Sequence, residues 1–258
     1  MQALFQEAVD RPLRARIQTV SVLRPFVWLG RGTSDFVRCW RQDVAHGLLM
    51  VAFGWVVLFL LGAHPYFLAA ALSGYLLGAP VMTTGLVELS RRAQTGERTT
   101  FNDSLAPLER DGPALVQFGV VLAGFAAAWF VISGIFLSAV LNVPTPDFFD
   151  SFYHGFLDTA TRAQLVSYIA VGALLALMVL LLSVVTVPSI IDQHVGARPA
   201  MGLSIDVVRS NPAAMLVWSA LLVALTAAGF ATLLVGMTVV IPLLGHATWH
   251  AYRDLVRV

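Results

Sequence analysis

Two histidines, His246 and His250, lie four residues apart near the end of the chain and so share one face of a helix. They follow Pro242 at four and eight residues. At the same spacings Pro80 is followed by Thr84 and Glu88, and Pro188 by Asp192 and Gly196. If three like helices pack around one axis, Glu88, Asp192, His246 and His250 gather at similar depth. Two imidazoles on adjacent turns with two carboxylates form a donor set for a divalent transition metal: Zn²⁺, Fe²⁺ or Mn²⁺. Haem fits the pattern less well, because both histidines sit on one helix and axial ligands approach a porphyrin from opposite faces. The competing reading is plainer: such groups at helix ends snorkel to headgroups or hydrogen-bond to neighbouring helices. The sequence has no His-Glu-x-x-His, no phosphate-binding Gly-x-x-x-x-Gly-Lys, no Gly-x-Ser-x-Gly elbow and no dinucleotide fingerprint.

The elements that hold these residues follow from composition. Of 258 residues 58% are apolar and only 12% charged, and mean hydropathy is +0.78. That is about half the charge of an ordinary soluble domain. Thirty-one ionisable Arg, Asp and Glu side chains cannot coat a soluble body of this size, and a net charge of +1 argues against a nucleic-acid partner. A disordered chain is excluded by the same apolar content. One cysteine, Cys39, excludes an internal disulfide. The composition implies an all-α polytopic membrane protein whose partner is the lipid bilayer.

Apolar blocks run over 47–63, 66–87, 114–141, 165–191 and 213–245, each near or above the ~20 residues of a bilayer crossing. The last continues to Val256 without a strong break and is too long for one straight helix. It is expected to fold back near Ala228-Gly229, which makes six transmembrane helices. All sixteen basic residues are arginine, and fifteen of them fall before span one, between spans two and three, between four and five, and after six. The positive-inside rule then places both termini in the cytoplasm, with Arg162 on the other side.

Three stretches share a plan: Ser34 through Asp43, Ser104 through Pro113, and Ser204 through Pro212. Each starts with Ser, has an Arg four to six residues on, and enters a span within about ten. Ser is a good helix cap, so each stretch reads as a short amphipathic surface helix. The second helix of each hairpin carries one proline, Pro80, Pro188 or Pro242, expected to kink it. The expected organisation is a cytoplasmic segment over 1–33 and a transmembrane domain over 34–258. The domain holds three pseudo-repeats, about 34–92, 104–192 and 204–256.

An outer loop over 142–163 contains Phe148, Phe149, Phe152, Tyr153 and Phe156, a density that suits a helix at headgroup level. Trp249, Tyr252 and Arg253 read as an interface anchor. His46, His64 and His154 read as boundary or interfacial residues, and nothing near Cys39 marks it as reactive. No arginine lies mid-span, which argues against voltage sensing.

The run from Pro242 to Leu255, Pro-Leu-Leu-Gly-His-Ala-Thr-Trp-His-Ala-Tyr-Arg-Asp-Leu, resembles the closing signature of a bacterial family of predicted integral membrane proteins, domain of unknown function 2189. Val27 through Phe36 and Ser204 through Trp218 also fit, so the resemblance covers about residues 20–256. The resemblance implies no established activity, and some members are labelled cytochrome c oxidase subunits. This chain lacks the many mid-span histidines of a haem–copper catalytic subunit. The expectation is therefore a non-enzymatic protein of the bacterial inner membrane, an accessory or assembly component of a larger complex such as a respiratory oxidase. The alternative is a small transporter or a metal- or haem-handling protein built on the His/carboxylate cluster.

Overall fold

In a membrane every backbone polar group needs an internal partner, so apolar runs of this length become helices. A computed structural model of the chain describes residues 15–61, 80–97, 99–141 and 161–258. The element order is β1 (Arg16–Ile17), α1 (Arg24–Arg38), α2 (Trp40–Leu61), α3 (Thr84–Gln94), a 3-10 turn (Asn102–Leu105), α4 (Ala106–Arg110) and α5 (Gly112–Leu141). There follow α6 (Arg162–Ser183), α7 (Thr186–Gln193), α8 (Ala197–Ser210), α9 (Pro212–Ala231), α10 (Met237–Leu255) and β2 (Val256–Arg257). Among the described residues four segments are long and apolar enough to cross a membrane: Trp40–Leu60, Gly112–Phe136, Arg162–Gln193 and Pro212–Ala231. Most of the expected second span, and the aromatic loop with Phe148, Phe149, Phe152, Tyr153 and Phe156, lie outside the described residues.

The last apolar block does fold back, but the turn lies over 232–236 rather than at Ala228-Gly229, which stay inside α9. Thr232 organises the turn: its hydroxyl donates to the Gly229 carbonyl at 2.8 Å and accepts from the Gly236 amide at 2.7 Å. Gly229 has a different task. A Cβ there would come within 2.7 Å of Met237 Sδ, so its small size lets α10 lie against α9. Helix α10 has 19 residues, continues through Pro242 without interruption, and carries too many polar groups to join the four apolar segments. The helix containing Pro188 breaks at Val184 and Val185, and the one containing Pro80 is interrupted at Thr83.

The chain forms two compact units. One comprises 1–51, 79–119 and 180–258, the other 52–78 and 120–179. In the second unit Tyr168 of α6 packs its ring 5.1 Å from Trp129 and 5.3 Å from Phe136 of α5. In the first, α1 and α3 both pack on α10, and α1 turns Pro25, Trp28, Gly32 and Asp35 inward while residues 33 and 34 lie on its exposed side. Small residues set these approaches. A Cβ on Gly32 of α1 would lie 2.9 Å from the Ala247 backbone, and one on Gly47 of α2 would collide with the Thr238 carbonyl. Gly124, another glycine in an apolar helix, faces open space.

Residues 16 and 17 pair antiparallel with 257 and 256. Asn211, between α8 and α9, locks the segment that follows β1. Its Oδ1 accepts from the Val20 amide at 2.8 Å and its Nδ2 donates to the Gln18 carbonyl at 3.0 Å. Asn211→Ala therefore strands two backbone groups and is expected to cost about 1–2 kcal/mol. Hydrogen exchange at the Val20 amide should accelerate in that variant; unchanged exchange there would show that Asn211 is not the tie.

Candidate functional site: a buried carboxylate–histidine chain

Helices α1 and α2 are separated by a single residue, Cys39. Its amide closes the last turn of α1 on the Asp35 carbonyl, and its carbonyl accepts from the Asp43 amide. Asp43 thus falls in the first turn of α2, where a carboxylate faces the positive end of the helix dipole. Asp35 lies on the α1 face turned to α10 and Ser90 on the buried face of α3. His246 and His250, one turn apart on α10, meet all three.

The contacts form one continuous line. Asp43 Oδ2 is 2.9 Å from His246 Nε2, and His246 Nδ1 is 2.7 Å from Ser90 Oγ. Ser90 Oγ donates to Asp35 Oδ2 at 2.7 Å, and the same carboxylate oxygen is 2.8 Å from His250 Nε2. Gln94, one turn beyond Ser90, stands 3.4 Å from His250 Nδ1. The inner end is sealed, since the side chains of Asp43 and His246 are 0% exposed, whereas those of Asp35 and His250 are 12% and 8% exposed. Burial works to raise the Asp35 carboxyl, but hydrogen bonds from His250 and Ser90 outweigh it and hold the group below the ordinary carboxylate range. The second oxygen of Asp43, Oδ1, is buried with no hydrogen-bond partner among the described residues.

Around this line stand His46, whose Nε2 is 3.2 Å from the Ser104 hydroxyl, and Cys39, whose Sγ is 3.5 Å from Thr99 Oγ1. Burial pushes the Cys39 thiol up, so it is a structural cysteine and a poor nucleophile.

The four residues of the expected metal set part company. His246 and His250 come together on α10, but with Asp43 and Asp35. Glu88 is fully buried and enclosed by guanidinium groups: Arg91 binds it through two nitrogens at 2.8 and 2.7 Å, Arg92 donates at 2.8 Å, and Arg110 lies 3.6 Å away. Burial raises the Glu88 carboxyl, yet the hydrogen bonds from Arg91 and Arg92 hold it below its usual value. Asp192 accepts from the Tyr252 hydroxyl at 2.8 Å and lies 3.8 Å from Arg253. Among the described residues no group of three or more His, Cys, Asp or Glu is arranged to hold a metal ion.

The expected interface anchor also differs. Trp249 and Tyr252 are 1% and 0% exposed, packed inside the first unit with rings 5.5 Å apart. Only Arg253 reaches outward, 5.8 Å over the Trp249 ring.

The sequence reading missed Asp35, Asp43 and Ser90. A signal was present: two acids eight residues apart flank the break just before a span, and Ser90 follows Glu88 by two on the same helix. The acids pair with residues more than 200 positions away, and no local pattern reports that.

Comparison with known proteins agrees with this apolar, helical architecture. Residues 67–192 match the model of a family described as predicted integral membrane protein, DUF2189. The match leaves out the Pro242–Leu255 run and its two histidines. No curated protein and no solved structure matches the chain.

Proposed function

We propose, from the premise that residues 67–192 match the DUF2189 family of predicted integral membrane proteins, that the chain is a non-enzymatic accessory or assembly component of a larger membrane complex such as a respiratory oxidase. One observation carries the reading. The four apolar segments have only 17–22% of their most apolar windows buried inside the chain, which supports broad contact with lipid and neighbouring subunits. The polar groups of the first unit meanwhile bind one another: Glu88 with three arginines, and Asp254 with Arg24, Arg31 and the Trp28 indole.

In this proposal the chain crosses the bacterial inner membrane six times, with both termini in the cytoplasm. The pairing of 16 with 257 supports an even number of crossings, and the clustering of arginines supports the cytoplasmic side. The threefold plan is part of the same proposal. It draws support from three one-residue breaks, at Cys39, Asp111 and Asn211, each between a short helix and a long apolar one. The transporter or metal-handling alternative has less support, because Glu88 and Asp192 are engaged by arginine and tyrosine and do not face the histidines.

The test is affinity purification of the tagged full chain from mild detergent, with oxidase levels measured in a deletion strain. Co-purifying oxidase subunits and lowered oxidase are expected. Recovery of the bare protein with wild-type oxidase would overturn the proposal.

A further inference from the structure

The line from Asp43 to His250 has a property that follows from counting hydrogens. Four contacts, Asp43–His246, His246–Ser90, Ser90–Asp35 and Asp35–His250, each need one hydrogen between two heavy atoms. Ionised Asp43 and Asp35 supply none. The Ser90 hydroxyl supplies one, and each imidazole in its neutral form supplies at most one. The set falls one hydrogen short whichever way the hydroxyl and the tautomers are turned. Every arrangement that satisfies all four contacts holds one proton more than two carboxylates and two neutral imidazoles.

We propose that Asp43, His246, Ser90, Asp35 and His250 form a proton-binding relay: a buried site whose ligand is a single proton, passed between Asp43 and Asp35 through the imidazole and the serine hydroxyl. The resting position is on Asp43. Its Oδ1 has no partner among the described residues and its side chain is fully buried, a poor place for a full negative charge. In that state Asp43 Oδ2–H donates to His246 Nε2, His246 Nδ1–H donates to Ser90, and Ser90 and His250 Nε2–H donate to an ionised Asp35.

Transfer needs no heavy-atom movement. Asp43 gives its proton to Nε2, Nδ1 gives its own to Ser90 Oγ, and the serine proton moves to Asp35 Oδ2. One O–H bond is lost at Asp43 and one gained at Asp35, while the imidazole ends neutral with its hydrogen on Nε2 and the serine remains a hydroxyl. All four contacts survive the exchange. Asp35 and His250 are the partly exposed members and lie beside exposed Gln94, so the proton exchanges with water at that end.

Among the described residues the other titratable and charged groups facing this line are few. Arg38 of α1 is tied to the Ala93 carbonyl. Cys39 is buried against Thr99, and His46 of α2 is engaged by Ser104 and the Gln42 carbonyl. On α3 Glu88 is occupied by its arginines.

The decisive variant removes no titratable group. Ser90→Ala deletes two of the four contacts; the remaining two are satisfied by ionised Asp43 and Asp35 with both histidines carrying hydrogen on Nε2. The full-length protein in lipid nanodiscs is examined at pH 7 by infrared spectroscopy in H₂O and D₂O and by ¹⁵N NMR of its histidines. Wild type is expected to show a deuterium-sensitive protonated-carboxyl band that Asp43→Asn removes, and a His246 with hydrogen on Nδ1. Ser90→Ala is expected to lose the band and move the His246 hydrogen to Nε2, and Ser90→Thr, which keeps the hydroxyl, to retain both signals. The proposal is overturned if wild type lacks the band or has His246 protonated on Nε2 alone. It is overturned equally if Ser90→Ala folds and keeps the band, or if the purified chain carries a metal lost in His246→Ala. The wild-type spectra decide the matter even if a variant does not fold.

Discussion

Glu88→Ala is expected to destabilise the protein by about 2–4 kcal/mol in denaturant unfolding of the purified chain in detergent. The carboxylate is completely buried and balances Arg91 and Arg92 directly, with Arg110 close by. Removing one partner of a buried pair leaves uncompensated charge, a loss of about 3–5 kcal/mol. The figure is reduced here because the arginines keep 21–34% of their side-chain surface in water. Arg91→Ala should cost less, about 1 kcal/mol, since Glu88 keeps its other cations. The pH dependence has a fixed sign. The folded Glu88 carboxyl lies below its ordinary value of 4.5, so its contribution is complete above that value and is lost as pH falls through the lower folded one. Glu88→Gln keeps the shape and should flatten this acid limb. A Glu88→Ala protein within 0.5 kcal/mol of wild type would show that the three arginines do not need it.

Trp28→Ala is expected to cost about 3–5 kcal/mol, the range for emptying a buried aromatic site. Trp28 is fully buried on α1, its ring edge-on to Trp218 of α9 at 5.7 Å, and its Nε1–H donates to Asp254 at 2.9 Å. Trp28→Phe separates the two contributions: it keeps an aromatic ring and loses the donor, for about 1.5–3 kcal/mol to a charged acceptor. A Trp28→Ala/Trp218→Ala cycle should show coupling of about 0.5–1.5 kcal/mol. Strictly additive losses would mean that the two rings touch without supporting each other.

These two sites differ in how far the sequence announces them. Glu88, Arg91 and Arg92 stand at helical i, i+3 and i+4 spacing, so their salt bridges are legible from local order alone. Reading Glu88 as a metal ligand came from its distance to Pro80, a weaker cue than the arginines one turn away. The apolar segments and the final fold-back were legible for the same local reason: hydropathy is a property of each stretch by itself. The exact turn was not, because Gly229 serves packing against Met237 rather than backbone reversal. Trp249 and Tyr252 carry an amphipathic signature that suits a membrane surface and a protein interior equally, and only tertiary contact with α10's neighbours decides between them. The Asp35 and Asp43 pairings with histidines depend on residues more than 200 positions apart and have no local trace.

That separation governs the order of events during synthesis. Trp28, Asp35 and Asp43 leave the ribosome well before the partners on α9 and α10 that cover them are made. At 5–20 residues per second the interval from residue 38 to residue 257 is roughly ten to forty seconds. Ser90 of α3 can reach Asp35 partway through, but the inner face of the first helix stays uncovered and Asp43 without its histidine until α10 is made. Helix α10 is thus the keystone of biogenesis: only once it is made can the first helix bury its inner face and residues 16–17 pair with 256–257.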